Sequence, residues 1–277
     1  MAWTSPSEQY VTAMDSRAAQ SFRRPNPAVF ALEGVRVSSE LACFTALWPF
    51  LRRLPRGDGR PVLVLPGFTA SDTSTEPLRC LLGHLGYDAY DWLLGQNLGP
   101  TPRIVKGLLQ RFDTIRATTA QPVTIIGWSL GGLYARALAD RCAADVRHVV
   151  TLGSPFRLAR SEETNAGRLF DALSPLHRQE RAHTTTFRRE PYHGAPPVPS
   201  TAIFSRTDGV VPWRSCVDEP GRQSENVEVR GSHCGLGMNP AVMVVLADRL
   251  QLGVGEWRPF EPGLISRRLH PATPYVV

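Results

Sequence analysis

The residues best suited to chemistry in this 277-residue chain are a serine, an aspartate and a histidine, each in distinctive surroundings. Ser129 lies inside Gly127-Trp128-Ser129-Leu130-Gly131. A G-x-S-x-G pentapeptide alone is a weak signal, because glycine and serine are common enough to produce it by chance. Its context is more specific. An apolar run over 123–126 precedes it and a helical pattern begins at Leu130, so the chain passes from strand to helix at the serine. Flanking glycines admit so tight a turn, and the helix N-terminus offers unpaired N–H groups and a positive dipole end to a developing oxyanion. A serine hydroxyl is a poor nucleophile until a base takes its proton and a carboxylate orients that base.

In one class of enzymes that carry the nucleophilic serine on a strand-to-helix turn, the acid and then the histidine follow it along the chain. The histidines after Ser129 are His148, His177, His183, His193, His233 and His270. Only His233 falls between a strand-like run and a helical one, in "RGSHCGLGMNP", where small neighbours leave room for the imidazole. The acid expected is Asp208, just past the run ending at Ser205, with Gly209 permitting a tight turn. Asp218 and Glu219, beyond Pro212, are the runners-up, and a plain turn-forming role for Asp208 is the alternative. Two backbone N–H donors complete an oxyanion hole. One is Leu130, after the serine. The other is Phe68 in "LPGFTASDTST", where Gly67 lets the backbone approach a substrate carbonyl. Gly67 and Trp128 are the pocket candidates. His177, His183 and His193 lack the tight spacing of a zinc site, so no metal and no cofactor is expected.

The elements that must position these residues can be read from periodicity. Apolar runs at 61–66, 87–92, 122–127, 146–153, 200–205 and 226–230 read as strands. Several are continuous, as in a sheet covered on both faces. Helical spacing occupies 74–86, 102–119 and 130–143. A last helix follows Asn239 as N-cap, with Pro240 at its first position and Gly253 as a stop. Strands alternating with helices predict one α/β domain with a mostly parallel sheet. Its core is expected over 59–154 and 200–253. Residues 1–58 are an N-terminal extension packing on that core, 155–199 a cap or lid insertion too long for a plain loop, and 254–277 a C-terminal tail. The segment "LACFTALWPFL" at 41–51 is too short to span a bilayer and reads as a packing helix or a membrane-touching one.

Composition narrows the partners. The net charge is +6, and the basic residues are scattered arginines with Lys106 the only lysine, so no nucleic-acid patch is expected. Five cysteines without paired spacing argue against a disulfide framework. With no signal-like N-terminus, the expected location is cytoplasmic. Stable membrane insertion is not expected, and lipid contact would be transient.

In order, "LPGF", "GWSLGG", "GSPF", "DGVVPW" and "GSHCGLGMNP" resemble the lipase and esterase branch of the α/β-hydrolase fold, from about Pro61 to Leu250. The resemblance implies an eight-stranded type of sheet with helices on both faces and a helical cap over 155–199. It also implies Ser129, Asp208 and His233 as a triad, with Phe68 and Leu130 as oxyanion donors. One departure is Trp128, where many such lipases carry His or Tyr; it is expected to reshape the pocket floor. The implied activity is hydrolysis of small or lipid-like carboxylic esters through an acyl-enzyme. A serine acyltransferase or thioesterase using the same triad is the alternative.

Overall fold

The six apolar runs become the strands of one sheet. The computed structural model describes residues 22–158, 160–173, 175, 194–219, 221–253, 255–263, 267 and 269–271. Its strands are β1 (Pro61–Leu65), β2 (Asp88–Tyr90), β3 (Val123–Trp128), β4 (Val146–Leu152), β5 (Ser200–Phe204) and β6 (Ser224–Glu228). They run in the order β2-β1-β3-β4-β5-β6, every neighbouring pair parallel. β1, β3 and β5 are buried along their whole length, which is why they read as unbroken apolar runs, whereas edge strands β2 and β6 are partly exposed. The resemblance implies eight strands; the described residues form six, and in the stretch before β1 they form helix instead.

The helices are α1 (Pro27–Ala31), α2 (Glu33–Leu51), α3 (Asp72–His84), α4 (Pro102–Thr119), α5 (Leu130–Arg141), α6 (Gly167–Ala172) and α7 (Pro240–Gln251). Side chains alternate across each strand, so β1 feeds two cores. Val62 and Val64 join Ile126, Val150 and Ile203 under α2, α3 and α7, through Phe44, Leu51, Leu78, Leu82, Val242 and Leu246. Leu63 and Leu65 join Ile125 and Val149 under α4 and α5, through Leu108, Phe112, Tyr134 and Leu138. α2 contains the segment 41–51. It is a packing helix that buries Phe44 and Leu51 while leaving Leu41 and Phe50 exposed. Among the described residues, no helix is long and apolar enough to cross a membrane.

The described parts of two further segments pack on this frame. In the segment 155–199, α6 follows a short 3-10 turn, Ser161–Glu163. Phe156, near the start of this segment, is buried against Ala202 and Leu133. Leu176, His177, His183 and His193 lie outside the described residues. The C-terminal segment is tied to β6 and α7, where Glu225 accepts from Arg249 Nη1 at 2.9 Å and from the Phe260 N–H at 2.6 Å. His270 packs its ring edge on Phe260 and contacts the Ala241 carbonyl at 3.1 Å.

Candidate active site

In a parallel sheet all strands deliver their following loops to one edge, and a crevice opens where the order reverses. Here that point lies between β1 and β3. Phe68 follows β1, Ser129 follows β3, Asp208 follows β5 and His233 follows β6.

Ser129 turns the chain from β3 into α5 with φ 53° and ψ −119°. A side chain at positive φ costs about 1–3 kcal/mol, so packing must hold it there. The neighbouring glycines show how. A Cβ on Gly127 would run into the Gly131 carbonyl and the Gly132 Cα, and one on Gly131 would run into the Leu65 carbonyl. β1, β3 and α5 thus meet backbone to backbone around the turn. The Ser129 N–H is anchored to the Leu152 carbonyl of β4 at 2.8 Å.

The structure brings Ser129, His233 and Asp208 into one hydrogen-bonded chain. His233 Nε2 is 3.0 Å from Ser129 Oγ, and His233 Nδ1 is 2.6 Å from Asp208 Oδ2. The other carboxylate oxygen, Oδ1, accepts from the Val210 and Val211 N–H groups, each at 2.8 Å. Runner-up Asp218 is occupied elsewhere, by Arg136 at 2.7 Å. His148 is buried in β4 against Thr201 Oγ1 at 3.0 Å, and burial with nearby Arg249 and Arg147 pulls its pKa to about 3.

The sequence matches the model of a family described as the alpha/beta hydrolase family over residues 62–275. The chain belongs to this family. No curated protein sequence matches it. Among solved structures it is similar to lipase B of Aspergillus fumigatus, with 20% identity, a TM-score of 0.53 and 73% of this chain aligned. It spans 55% of that lipase's length. The pyrethroid hydrolase PytH aligns at 16% identity over 69% of this chain and 97% of its own, with a TM-score of 0.48. Carboxylesterase CesB of Bacillus subtilis aligns at 13% over 79% and 98%, with a TM-score of 0.44.

In this α/β-hydrolase, Gly67 abuts the serine: a Cβ there would lie 3.2 Å from Ser129 Cβ. Asn97 fixes the Gly67–Phe68 loop by donating to the Pro66 carbonyl at 2.9 Å and accepting, through its backbone carbonyl, from the Thr69 N–H at 2.7 Å. Among the described residues, neither the Phe68 N–H nor the Leu130 N–H has an acceptor. The Phe68 ring is met edge-on by Phe170 of α6 at 5.2 Å. No group of three or more His, Cys, Asp or Glu able to hold a metal occurs among the described residues.

Burial would pull the His233 pKa down, but the charge and hydrogen bond of Asp208, with the charge of Glu33, outweigh it and leave it above the ordinary imidazole value. The thiol next to it is raised as well. Desolvation, then the charge of Glu33, pushes Cys234 up to about 12, so the reactive thiolate is scarce.

Trp128, expected at the pocket, lies beneath the histidine loop instead. It is buried in the core shared with Leu236, it fills the space a Cβ on Gly237 would need, and its indole N–H donates to the His233 carbonyl at 3.0 Å. What the charged side chains of α2 contact is also not given by the sequence pattern. The only charged residues of this helix are Glu33, Arg36 and Glu40, and all three engage the loops around Asp208 and His233. The available signal was their spacing, which puts all three on one face of an otherwise uncharged helix.

Proposed function

We propose that this α/β-hydrolase is a serine hydrolase that cleaves carboxylic esters through an acyl-enzyme on Ser129. The observation that carries this reading is the Ser129–His233–Asp208 chain at 3.0 and 2.6 Å, at the crevice of the sheet and beside two N–H groups without acceptors among the described residues. His233 Nε2 takes the Ser129 proton as Oγ attacks the ester carbonyl carbon. The oxyanion so formed is held by the Leu130 and Phe68 N–H groups, each such donor being worth roughly 3 kcal/mol in the transition state. Collapse breaks the bond to the alcohol, which leaves with the proton from His233. Water then gives its proton to His233 and attacks the acyl carbon, and Ser129 leaves with that proton. Asp208 holds the imidazole with Nδ1 protonated and steadies the imidazolium. The Phe68–Phe170 ring pair beside the Phe68 N–H supports an apolar acyl site, for which short to medium acyl groups are the substrates we propose.

A fluorophosphonate probe is expected to label the wild-type protein and not Ser129→Ala, and p-nitrophenyl esters of graded chain length should be turned over only by the wild type. Equal labelling of both proteins, or none, overturns the reading. The acidic limb of kcat/KM reports the free-enzyme pKa of the base. Because His233 is active when neutral and its pKa is raised, that limb is expected above pH 6.5, the ordinary imidazole value. A midpoint below 6.5 would show that burial outweighs the charges of Asp208 and Glu33 at His233.

A further inference from the structure

α2 carries a buried carboxylate that packing alone does not explain. Glu33 is 5% exposed. Burying a charge is costly unless hydrogen-bond donors surround it. Its Oε1 accepts from the Gly209 N–H at 3.0 Å, the His233 N–H at 3.2 Å and Arg36 Nη1 at 3.3 Å, and its Oε2 accepts from the Cys234 N–H at 2.9 Å. Apart from Arg36, every donor comes from the loops after β5 and β6. Gly209 directly follows Asp208, and His233 is the base itself. These loops leave different strands, and one carboxylate ties them together.

The neighbouring contacts repeat the pattern. Arg36 donates to the Thr207 carbonyl at 2.7 Å, one residue before Asp208. Glu40 accepts from the Ser232 N–H at 2.8 Å, one residue before His233, and from the Ser232 hydroxyl. With the Trp128 indole on the His233 carbonyl, both main-chain polar groups of the histidine are held by side chains.

We propose that Glu33 is a positioning residue for the reaction, fixing the Asp208 loop against the His233 loop so that the imidazole spans carboxylate and serine. This rests on the triad reading above. Glu33 touches neither substrate nor the reacting atoms; it acts through the backbone of His233 and Gly209. It also adds negative charge beside the imidazole. The charged and titratable groups around His233 are Asp208 from the β5 loop, Glu33 with its partner Arg36 and then Glu40 from α2, and Cys234 in its own loop.

Glu33→Gln is isosteric but puts an NH2 group where one acceptor oxygen stood, facing backbone N–H groups that also donate. Misplacing a reacting group by about 1 Å costs up to about 100-fold in rate. The variant is therefore expected to lose about 10- to 100-fold in kcat on p-nitrophenyl butyrate with KM within about twofold. Its acidic limb should move to lower pH, because the base has lost a stabilising negative charge. Rates are taken per active site, counted by fluorophosphonate labelling. Should the glutamine variant fail to fold, Glu33→Asp carries the test: it keeps the charge but shortens the arm, so kcat falls while the acidic limb stays at the wild-type position. A labelled variant with wild-type kcat per site and an unmoved limb overturns the inference alone. A wild type that does not label overturns the triad reading and this inference with it.

Discussion

Asp208→Asn is expected to lower kcat by about four orders of magnitude while leaving the fold intact, the scale seen when a triad histidine is held in the wrong tautomer. The geometry makes the outcome unusually well defined. Asp208 Oδ1 accepts from both the Val210 and Val211 N–H groups at 2.8 Å. In the variant the amide oxygen must take that place, since the NH2 group there would face two donors. The NH2 group is then directed at His233 Nδ1, which stands 2.6 Å from Oδ2 in the wild type. Nδ1 must accept, so the ring proton moves to Nε2 and points at Ser129 Oγ. An imidazole in that state cannot take the serine's proton. The measurement is the rate of acylation by p-nitrophenyl acetate, with the circular dichroism spectrum and melting temperature as controls for folding. A rate within about tenfold of wild type would mean that another carboxylate orients His233.

Much of this site was legible because its residues sit where local pattern is strongest. β1, β3 and β5 are covered on both faces, so their runs are continuous, and each ends within two residues of the expected place. Ser129, Asp208 and His233 each stand in a loop of small or turn-forming residues just past a strand, β3, β5 and β6 in turn. What stayed hidden depends on side chains that meet across long sequence separations. Glu33 and His233 are 200 residues apart, and nothing local to either names the other. Periodicity shows that Glu33, Arg36 and Glu40 share a face but not which surface that face meets. The direction of Trp128 is a similar case. Its place at the end of β3 is legible, but the indole's turn under the histidine loop depends on how Leu236 and Gly237 pack against it. The sheet differs from expectation for a related reason. The resemblance counts strands by family habit, whereas the stretch before β1 carries helical spacing and forms α2.

The largest expected effect on stability lies away from the loops that carry Ser129, Asp208 and His233. Asp218→Ala is expected to destabilise the protein by about 3–5 kcal/mol, because it leaves a buried guanidinium without its counter-charge. Arg136 of α5 and Asp218 have side chains only 2% and 3% exposed, and their closest approach is 2.7 Å. The guanidinium also donates to the Gly194 carbonyl at 2.7 Å and lies over the Phe156 ring at 4.1 Å, so it is confined on several sides and has no route to water. Burial pushes the Asp218 carboxyl above its ordinary pKa although Arg136 pulls it down. A buried ion pair commonly adds little over well-packed apolar side chains, yet breaking it by removing one partner is costly. Both halves of that statement are testable by thermal melting. The single variant should melt roughly 6–20 °C lower than wild type. The double variant Arg136→Met with Asp218→Leu, which buries neither charge, should recover most of that loss. A single variant melting within about 2 °C of wild type would show that water reaches the guanidinium and that this face of α5 is looser than its packing implies.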